Sequence, residues 1–367
     1  MNILEEIQNY PVEWKELGEV ALLKRGKTIT SKTATDGPYP VISGGQKPAY
    51  FHGEFNREGE TITVAGSGAY AGFVMYWDEP IFVSDAFSIE SFEDALIPKF
   101  LYHYLLEKQE ILFSMKKGSG VPHVYPKDVS KILIPIPPIE IQEKIVQKLD
   151  KMTEYVRELT SELTSRKKQY SFYRDKLLSF EDEVYQVEWK VLKDVATLKN
   201  GKDWKALSSG EIPVYGSGGE MGEFVSDYSY DKPTVLIPRK GSISNLFYLE
   251  KAFWNVDTIY YTEIDEKLVI PKYFYYYLTT VKLEEMATNP TRPSLTQAIL
   301  DKIRIPVPSL EIQSRIIQVL DNFDTVCNDL NIGLPKEIEL RQKQYEYFRE
   351  KLLTFVTEGE YTESRVE

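Results

Sequence analysis

The sequence predicts an α+β protein made by tandem duplication: two mixed α/β blocks, each followed by a long helix, with the two helices pairing as an antiparallel coiled coil. Three observations lead there. The first is a heptad-like seam between Ile139 and Phe180, where Ile145, Leu149, Met152, Val156, Leu159, Leu163, Arg166, Tyr170, Tyr173 and Leu177 fall in alternating steps of four and three. The second is that both ends of this stretch recur downstream. Glu140-Ile-Gln-Glu-Lys-Ile-Val-Gln-Lys-Leu-Asp150 returns as Glu311-Ile-Gln-Ser-Arg-Ile-Ile-Gln-Val-Leu-Asp321, and the run Arg166 to Leu178 returns as Arg341 to Leu353. The third is a pair of anchors around each block. Val12-Glu-Trp14 is matched by Val187-Glu-Trp189, and Ile134-Pro-Ile-Pro-Pro138 by Ile305-Pro-Val-Pro-Ser309. Two matching seams in one chain are each other's natural partners.

These anchors divide the 367 residues into a first block (12–138), a central helix with its linker (139–186), a second block (187–309), a C-terminal helix (310–355) and acidic tails at 1–11 and 356–367. Within the blocks the pattern is mostly of short strands. Pro40 to Gly45 and Pro213 to Gly219 read as strand ends entering glycine turns. Thr61–Ala65, Thr234–Ile237, Ile81–Val83 and Thr258–Thr262 read as buried strands. Pro98–Leu106 and Pro271–Leu278 read as helices with proline in the first turn. A polar loop follows each, Lys116 to His123 and Ala287 to Ser294, and the Ile-Pro-x-Pro segment closes the block as a stiff edge or an extended lead into the long helix. The first long helix should run unbroken for roughly 60 Å at 1.5 Å per residue. The second carries Gly333 and Pro335 and an extra four residues between its matched ends, so it should break there.

Composition narrows the function classes. With 42% hydrophobic residues the chain is globular, and no run of about 18 apolar residues exists to cross a membrane. The single cysteine, Cys327, lies on the second seam as a small buried hydrophobe; it excludes a disulfide framework and suits the cytoplasm, as does an N-terminus without a basic signal region. The net charge of −12 argues against a protein that coats nucleic acid indiscriminately. The blocks themselves are close to neutral, −3 over 12–133 and −1 over 187–305, so each has room for a local basic face.

No catalytic motif survives inspection. Gly26-Lys27-Thr28 resembles the end of a phosphate loop, but the leading glycine position holds Ala21 and the repeat reads Gly201-Lys202-Asp203, so a basic turn after a strand is the simpler reading. Gly66-Ser-Gly68-Ala-Tyr-Ala71 matches a dinucleotide fingerprint in letters only, since a strand-like Phe73-Val-Met-Tyr-Trp77 follows it where a helix is required. The corresponding turn in the second block is Pro238-Arg239-Lys240-Gly241, with Gly241 matching Gly68. Adjacent cations on a glycine turn suit phosphate or a guanine edge. His52, His103 and His123 have no metal-ligand spacing, and no methyltransferase or nuclease pattern is present.

The duplicated plan, the Val-Glu-Trp openings, the Ile-Pro-x-Pro…Glu-Ile-Gln…Leu-Asp helix entries and the Arg-Lys-Lys-Gln-Tyr…Leu-Leu endings resemble the specificity (S) subunit of type I restriction–modification systems. The tetrads Arg157-Glu-Leu-Thr160 and Thr160-Ser-Glu-Leu163 are similar to the repeated tetrapeptides of its IC-type members. The resemblance implies that the blocks are target recognition domains, each binding half of a split double-stranded DNA target. It implies two methyltransferase (M) subunits docked on the helices, and restriction (R) subunits, with S-adenosylmethionine, ATP and Mg on those partners and no cofactor or metal on this chain. The DNA-contacting candidates are Lys27, Lys116, Lys117 and His123 in the first block and Lys202, Arg239, Lys240 and Arg292 in the second. Two rivals remain open: a coiled-coil scaffold that binds protein and reads no DNA, and an enzyme whose site has no recognisable motif.

Overall fold

A computed structural model describes residues 12–92, 96–180, 186–288 and 293–355. The chain forms two compact units: residues up to 159 together with those from 338 onward, and residues 160–337.

The first unit begins with β1 (Glu13–Glu16) and β2 (Ala21–Arg25), followed by β3 (Tyr39–Ile42), β4 (Tyr50–His52), β5 (Thr61–Ala65), β6 (Val74–Trp77), β7 (Phe82–Val83) and β8 (Ala86–Ser91). Helix α1 (Pro98–Glu107) and β9 (Leu133–Ile136) complete the block, and helix α2 (Ile139–Ser179) leaves it. The strands make a four-stranded sheet in the order β2-β8-β5-β6, a three-stranded sheet β4-β3-β7 and a two-stranded sheet β1-β9. That last sheet explains the anchors seen in the sequence. Trp14 lies opposite Pro135 and Lys15 opposite Ile134, so the segments flanking the block pair with each other and close it. Prolines are tolerated because a two-stranded ribbon is all edge.

Helix α1 lies over the main sheet, burying Phe100, Leu101, Tyr104 and Leu105 with Ile62, Val64, Phe87 and Ile89. The same core takes in Ile141, Ile145 and Leu149 from the start of α2, and Leu352, Leu353 and Phe355 from the end of the chain. Within this unit α2 and the C-terminal helix run antiparallel. Lys148 lies 5.2 Å from the Phe348 ring and Arg341 lies 5.3 Å from the Tyr155 ring.

The second unit repeats the plan with β10 (Glu188–Val191), β11 (Ala196–Asn200), β12 (Ser209–Gly216), β13 (Gly219–Val225), β14 (Thr234–Pro238), β15 (Phe247–Leu249), β16 (Trp254–Asn255) and β17 (Ile259–Ile264). Helix α3 (Pro271–Leu278) and β18 (Arg304–Val307) follow, then helix α4 (Leu310–Asn328), while most of α5 (Leu334–Leu353) belongs to the first unit. The sheets are β11-β17-β14-β15, β13-β12-β16 and β10-β18, strand for strand the order of the first unit, with Trp189 opposite Pro306. Leu178 from the far end of α2 and Ile316 and Leu320 from α4 enter this core. Here too the helices meet side by side, with Phe323 against Tyr170 and Tyr173.

The helix entries carry matched clasps. Gln142 is fully buried; its Oε1 accepts from the Ile97 N–H at 2.9 Å and its Nε2 donates to the Pro137 carbonyl at 2.8 Å. Gln313 does the same for Ile270 (2.8 Å) and Pro308 (2.9 Å), and its Nε2 also donates to the Leu268 carbonyl at 2.9 Å. Two turns on, Asp150 takes Lys99 at 2.8 Å and His103 at 2.9 Å, while Asp321 takes Lys272 at 2.9 Å and the Tyr276 hydroxyl. Burial opposes ionisation of Asp150, but the hydrogen bonds from His103 and Lys99 outweigh it and hold the carboxyl below the usual range. The repeated Glu-Ile-Gln…Leu-Asp signature is therefore a helix-to-domain fastening.

The predicted break in the second helix lies at 329–333. Asp329 accepts from the Asn331 and Ile332 amides at 2.7 and 3.1 Å, and a Cβ on Gly333 would stand 2.5 Å from the Thr325 carbonyl. Cys327 is buried as expected. Two members of the first seam depart from it. Arg166 faces outward and bonds Glu162 at 2.7 Å, and Tyr173 keeps 45% exposure while stacking on Phe323.

Candidate nucleic-acid interface

In each block the tertiary structure joins loops that lie far apart in the sequence. The Gly66–Gly72 segment is a hairpin between β5 and β6, not a dinucleotide loop, with Gly68 at φ 84°. Its Gly68 N–H donates to the Pro122 carbonyl at 2.9 Å, and the Val124 N–H donates to Gly66 at 3.1 Å, so the polar loop is tied to the hairpin. Lys117 and His123 exchange two backbone bonds of 2.9 Å that close this loop. The second block repeats the arrangement. Gly241, at φ 81°, donates to the Pro293 carbonyl at 3.3 Å, and the Leu295 N–H donates to Arg239 at 2.9 Å. Only glycine takes this left-handed conformation without strain.

The Gly-Lys pairs belong to the same surfaces. A Cβ on Gly26 would lie 2.2 Å from the Ser84 carbonyl, and one on Gly201 2.1 Å from that of Val256. These glycines permit close contact with the chain that follows β7 and β16. The Lys27 N–H donates to Val83 (3.0 Å) and the Lys202 N–H to Asn255 (2.9 Å), while both side chains are exposed. A cleft of about 130 Å³ in the first block is lined by Arg25, Gly26, Gly66, Asp85, His123 and Tyr125, among others.

The cations differ in how free they are. Lys116 Nζ donates to the Ala69 carbonyl at 2.9 Å and stands 4.5 Å over the Phe113 ring, which bolts the polar loop to the hairpin. Lys117 is bound to Asp128 at 2.7 Å, and this hydrogen bond holds the Asp128 carboxyl below its ordinary value. His123 stacks on Tyr125 with ring centroids 6.0 Å apart. Arg239 lies 5.8 Å from the Tyr260 ring, and Lys240 reaches Asp257 at 3.5 Å, an exposed pair of small worth that a ligand can replace. Arg292 lies outside the described residues. Sequence reasoning missed Arg25 and Lys127, which flank the Tyr125 ring at 5.9 Å each, and the matched carboxylates Asp85 and Asp257. The duplication could have revealed that last pair, since their offset of 172 lies between those of the flanking anchors, 175 and 171.

Among the described residues there is no cluster of side chains able to hold a metal ion, and no helix is long and apolar enough to cross a membrane. Two segments, 11–166 and 186–340, match the model of the type I restriction modification DNA specificity domain. The chain belongs to the type I specificity-subunit family. A putative type I restriction enzyme specificity subunit of Haemophilus influenzae is 33% identical over 95% of this chain and 97% of its own length. The EcoR124I/EcoR124II specificity subunit of Escherichia coli is 36% identical over 61% of this chain and 63% of its own. Among solved structures, the S subunit of a type I restriction–modification system from M. genitalium superimposes with a TM-score of 0.66 at 22% identity, covering 95% of this chain and 98% of that one. A chain from a structural study of assembly and conformational transition in a type I system gives 0.61 at 19% identity, covering 94% and 98%. These likenesses show the shared specificity-subunit fold: two recognition domains in tandem, with long helices.

Proposed function

We propose that this specificity subunit is the non-catalytic reader of a type I restriction–modification complex, acting in the cytoplasm. Each recognition domain takes one half of a bipartite double-stranded target, and the helices carry two methyltransferase subunits and the restriction subunits. S-adenosylmethionine, ATP and Mg belong to those partners. The observation that supports this reading best is the repeated loop assembly. In both domains a glycine turn, a polar loop and a Gly-Lys strand end converge on one face and present cations, with an arginine beside an aromatic ring in each. Such a face suits phosphate contacts that position a duplex and base-edge contacts that specify it. Near-neutral domains fit a reader whose partners supply much of the phosphate contact.

The test is reconstitution with a type I methyltransferase partner from the same genome. The complex should methylate one bipartite sequence and bind it with a steep salt dependence, while the isolated chain gives background methylation and no cleavage. A complex that forms but shows no sequence preference on any duplex would favour the coiled-coil scaffold instead. Turnover by the homogeneous chain would refute the non-catalytic role.

A further inference from the structure

We infer that Asp85 and Asp257 are specificity-determining residues, one for each half-site, whose carboxylates accept a hydrogen bond from the exocyclic amino group of a base. The inference rests on the DNA-reading function proposed above and names residues that neither the motifs nor the charge pattern selects.

Both aspartates follow the same strand of the smaller sheet at the same interval. In the first block β3 and β7 pair in parallel, Val41 with Phe82 and Ile42 with Val83; in the second β12 and β16 pair likewise, Val214 with Trp254 and Tyr215 with Asn255. Two residues beyond Val83 stands Asp85, and two beyond Asn255 stands Asp257. Each is exposed: Asp85 stands between the buried Ser84 and Ala86, and Asp257 between the half-buried Val256 and Thr258.

The backbone at these points already performs the structural work. The Asp85 carbonyl accepts the Gly66 N–H at 3.2 Å, which fastens the hairpin. Around Asp257 the fastening falls to Thr258, whose carbonyl accepts the Arg239 and Lys240 amides at 2.8 and 3.3 Å and whose hydroxyl accepts the Ser217 N–H at 3.2 Å. The carboxylates are therefore left with replaceable partners, the Ser67 hydroxyl for Asp85 and the 3.5 Å Lys240 ammonium for Asp257.

A negative charge among Arg25, Lys27 and Lys127, or among Lys202, Arg239 and Lys240, weakens any attraction for phosphate. Its presence at the matched position of two otherwise divergent loop sets points to a partner that donates hydrogen bonds. In the major groove those donors are cytosine N4 and adenine N6, and a carboxylate accepts from either without competing donor capacity. Thymine O4 and guanine O6 at that point would face it acceptor to acceptor. The carboxylate thus selects by repulsion as well as by attraction.

The experiment uses the complete complex with its methyltransferase partner on a duplex library randomised in both half-sites. Asp85→Asn keeps the shape and adds a donor, so it should lose about tenfold to hundredfold of discrimination at one position of one half-site and admit thymine or guanine there. Asp257→Asn should do the same in the other half only. Asp85→Ala should relax that position without a new preference. The untouched half-site reports that each variant is folded. Unchanged sequence preference in both halves, or a uniform rise in affinity across all sequences, would overturn the inference. A wild-type complex with no bipartite preference would instead overturn the reading on which it rests.

Discussion

The buried glutamines at the helix entries allow a quantitative comparison within one molecule. Gln142→Leu and Gln313→Leu exchange a side chain for an apolar one of similar volume, so packing changes little and the hydrogen bonds are what is lost. In the first clasp that leaves at least two backbone groups, the Ile97 N–H and the Pro137 carbonyl, without this partner. In the second it leaves three, the Ile270 N–H and the Leu268 and Pro308 carbonyls. A buried group deprived of its partner costs about 1–3 kcal/mol, and partial relaxation favours the lower end. The expected losses are then about 2 kcal/mol or more for Gln142→Leu and about 3 kcal/mol or more for Gln313→Leu. With a urea slope of about 3 kcal/mol per M, the first corresponds to a midpoint shift of roughly 0.7 M. Gln142→Glu separates the two bonds: it keeps an acceptor for Ile97 but sets a carboxylate against the Pro137 carbonyl, and should be no milder than leucine. Urea unfolding gives the global values, and hydrogen exchange at the Ile97 and Ile270 amides localises them. If either variant costs less than about 1 kcal/mol, or if the two amides keep full protection, the clasp reasoning is wrong.

Three further outcomes can be checked. Asp150→Asn should cost about 1–2 kcal/mol at neutral pH, discounted because the carboxylate is a third exposed; since its folded-state pKa lies below the unfolded value of 3.8, its contribution is present above that value and is lost as pH falls below it, so wild type and variant should converge in acid melts. Arg239→Ala, if the guanidinium reads guanine, should relax one half-site by about 1–3 kcal/mol of discrimination, whereas a phosphate role predicts uniform weakening and a shallower salt slope; genome-wide methylation mapping separates them. One more Thr-Ser-Glu-Leu unit after Leu163 should lengthen α2 by about 6 Å and turn it some 40° beyond a full turn, and the unspecified spacer should grow by one base pair with both half-sites unchanged. An active insertion variant with the original spacer would show that the helix is not the ruler.

The sequence alone determined the duplication, the unbroken α2, the break near Gly333 and most strands, because these follow from periodicities and glycine–proline punctuation that act over a few residues. It also marked both glycine turns and both polar loops as candidate contacts. It did not reveal why Gln142, Asp150 and their copies recur, since their partners Ile97, Lys99 and His103 lie more than forty residues away. Nor did it tell Lys117, held by Asp128, from Lys27, which is exposed. Charge at a position is written in the chain, but its availability depends on which counter-charge the fold brings alongside. The joining of hairpin to polar loop through Gly68 and Pro122, and the outward turn of Asp85 and Asp257, were decided by the tertiary structure. A backbone hydrogen bond between distant loops leaves no trace in side-chain spacing.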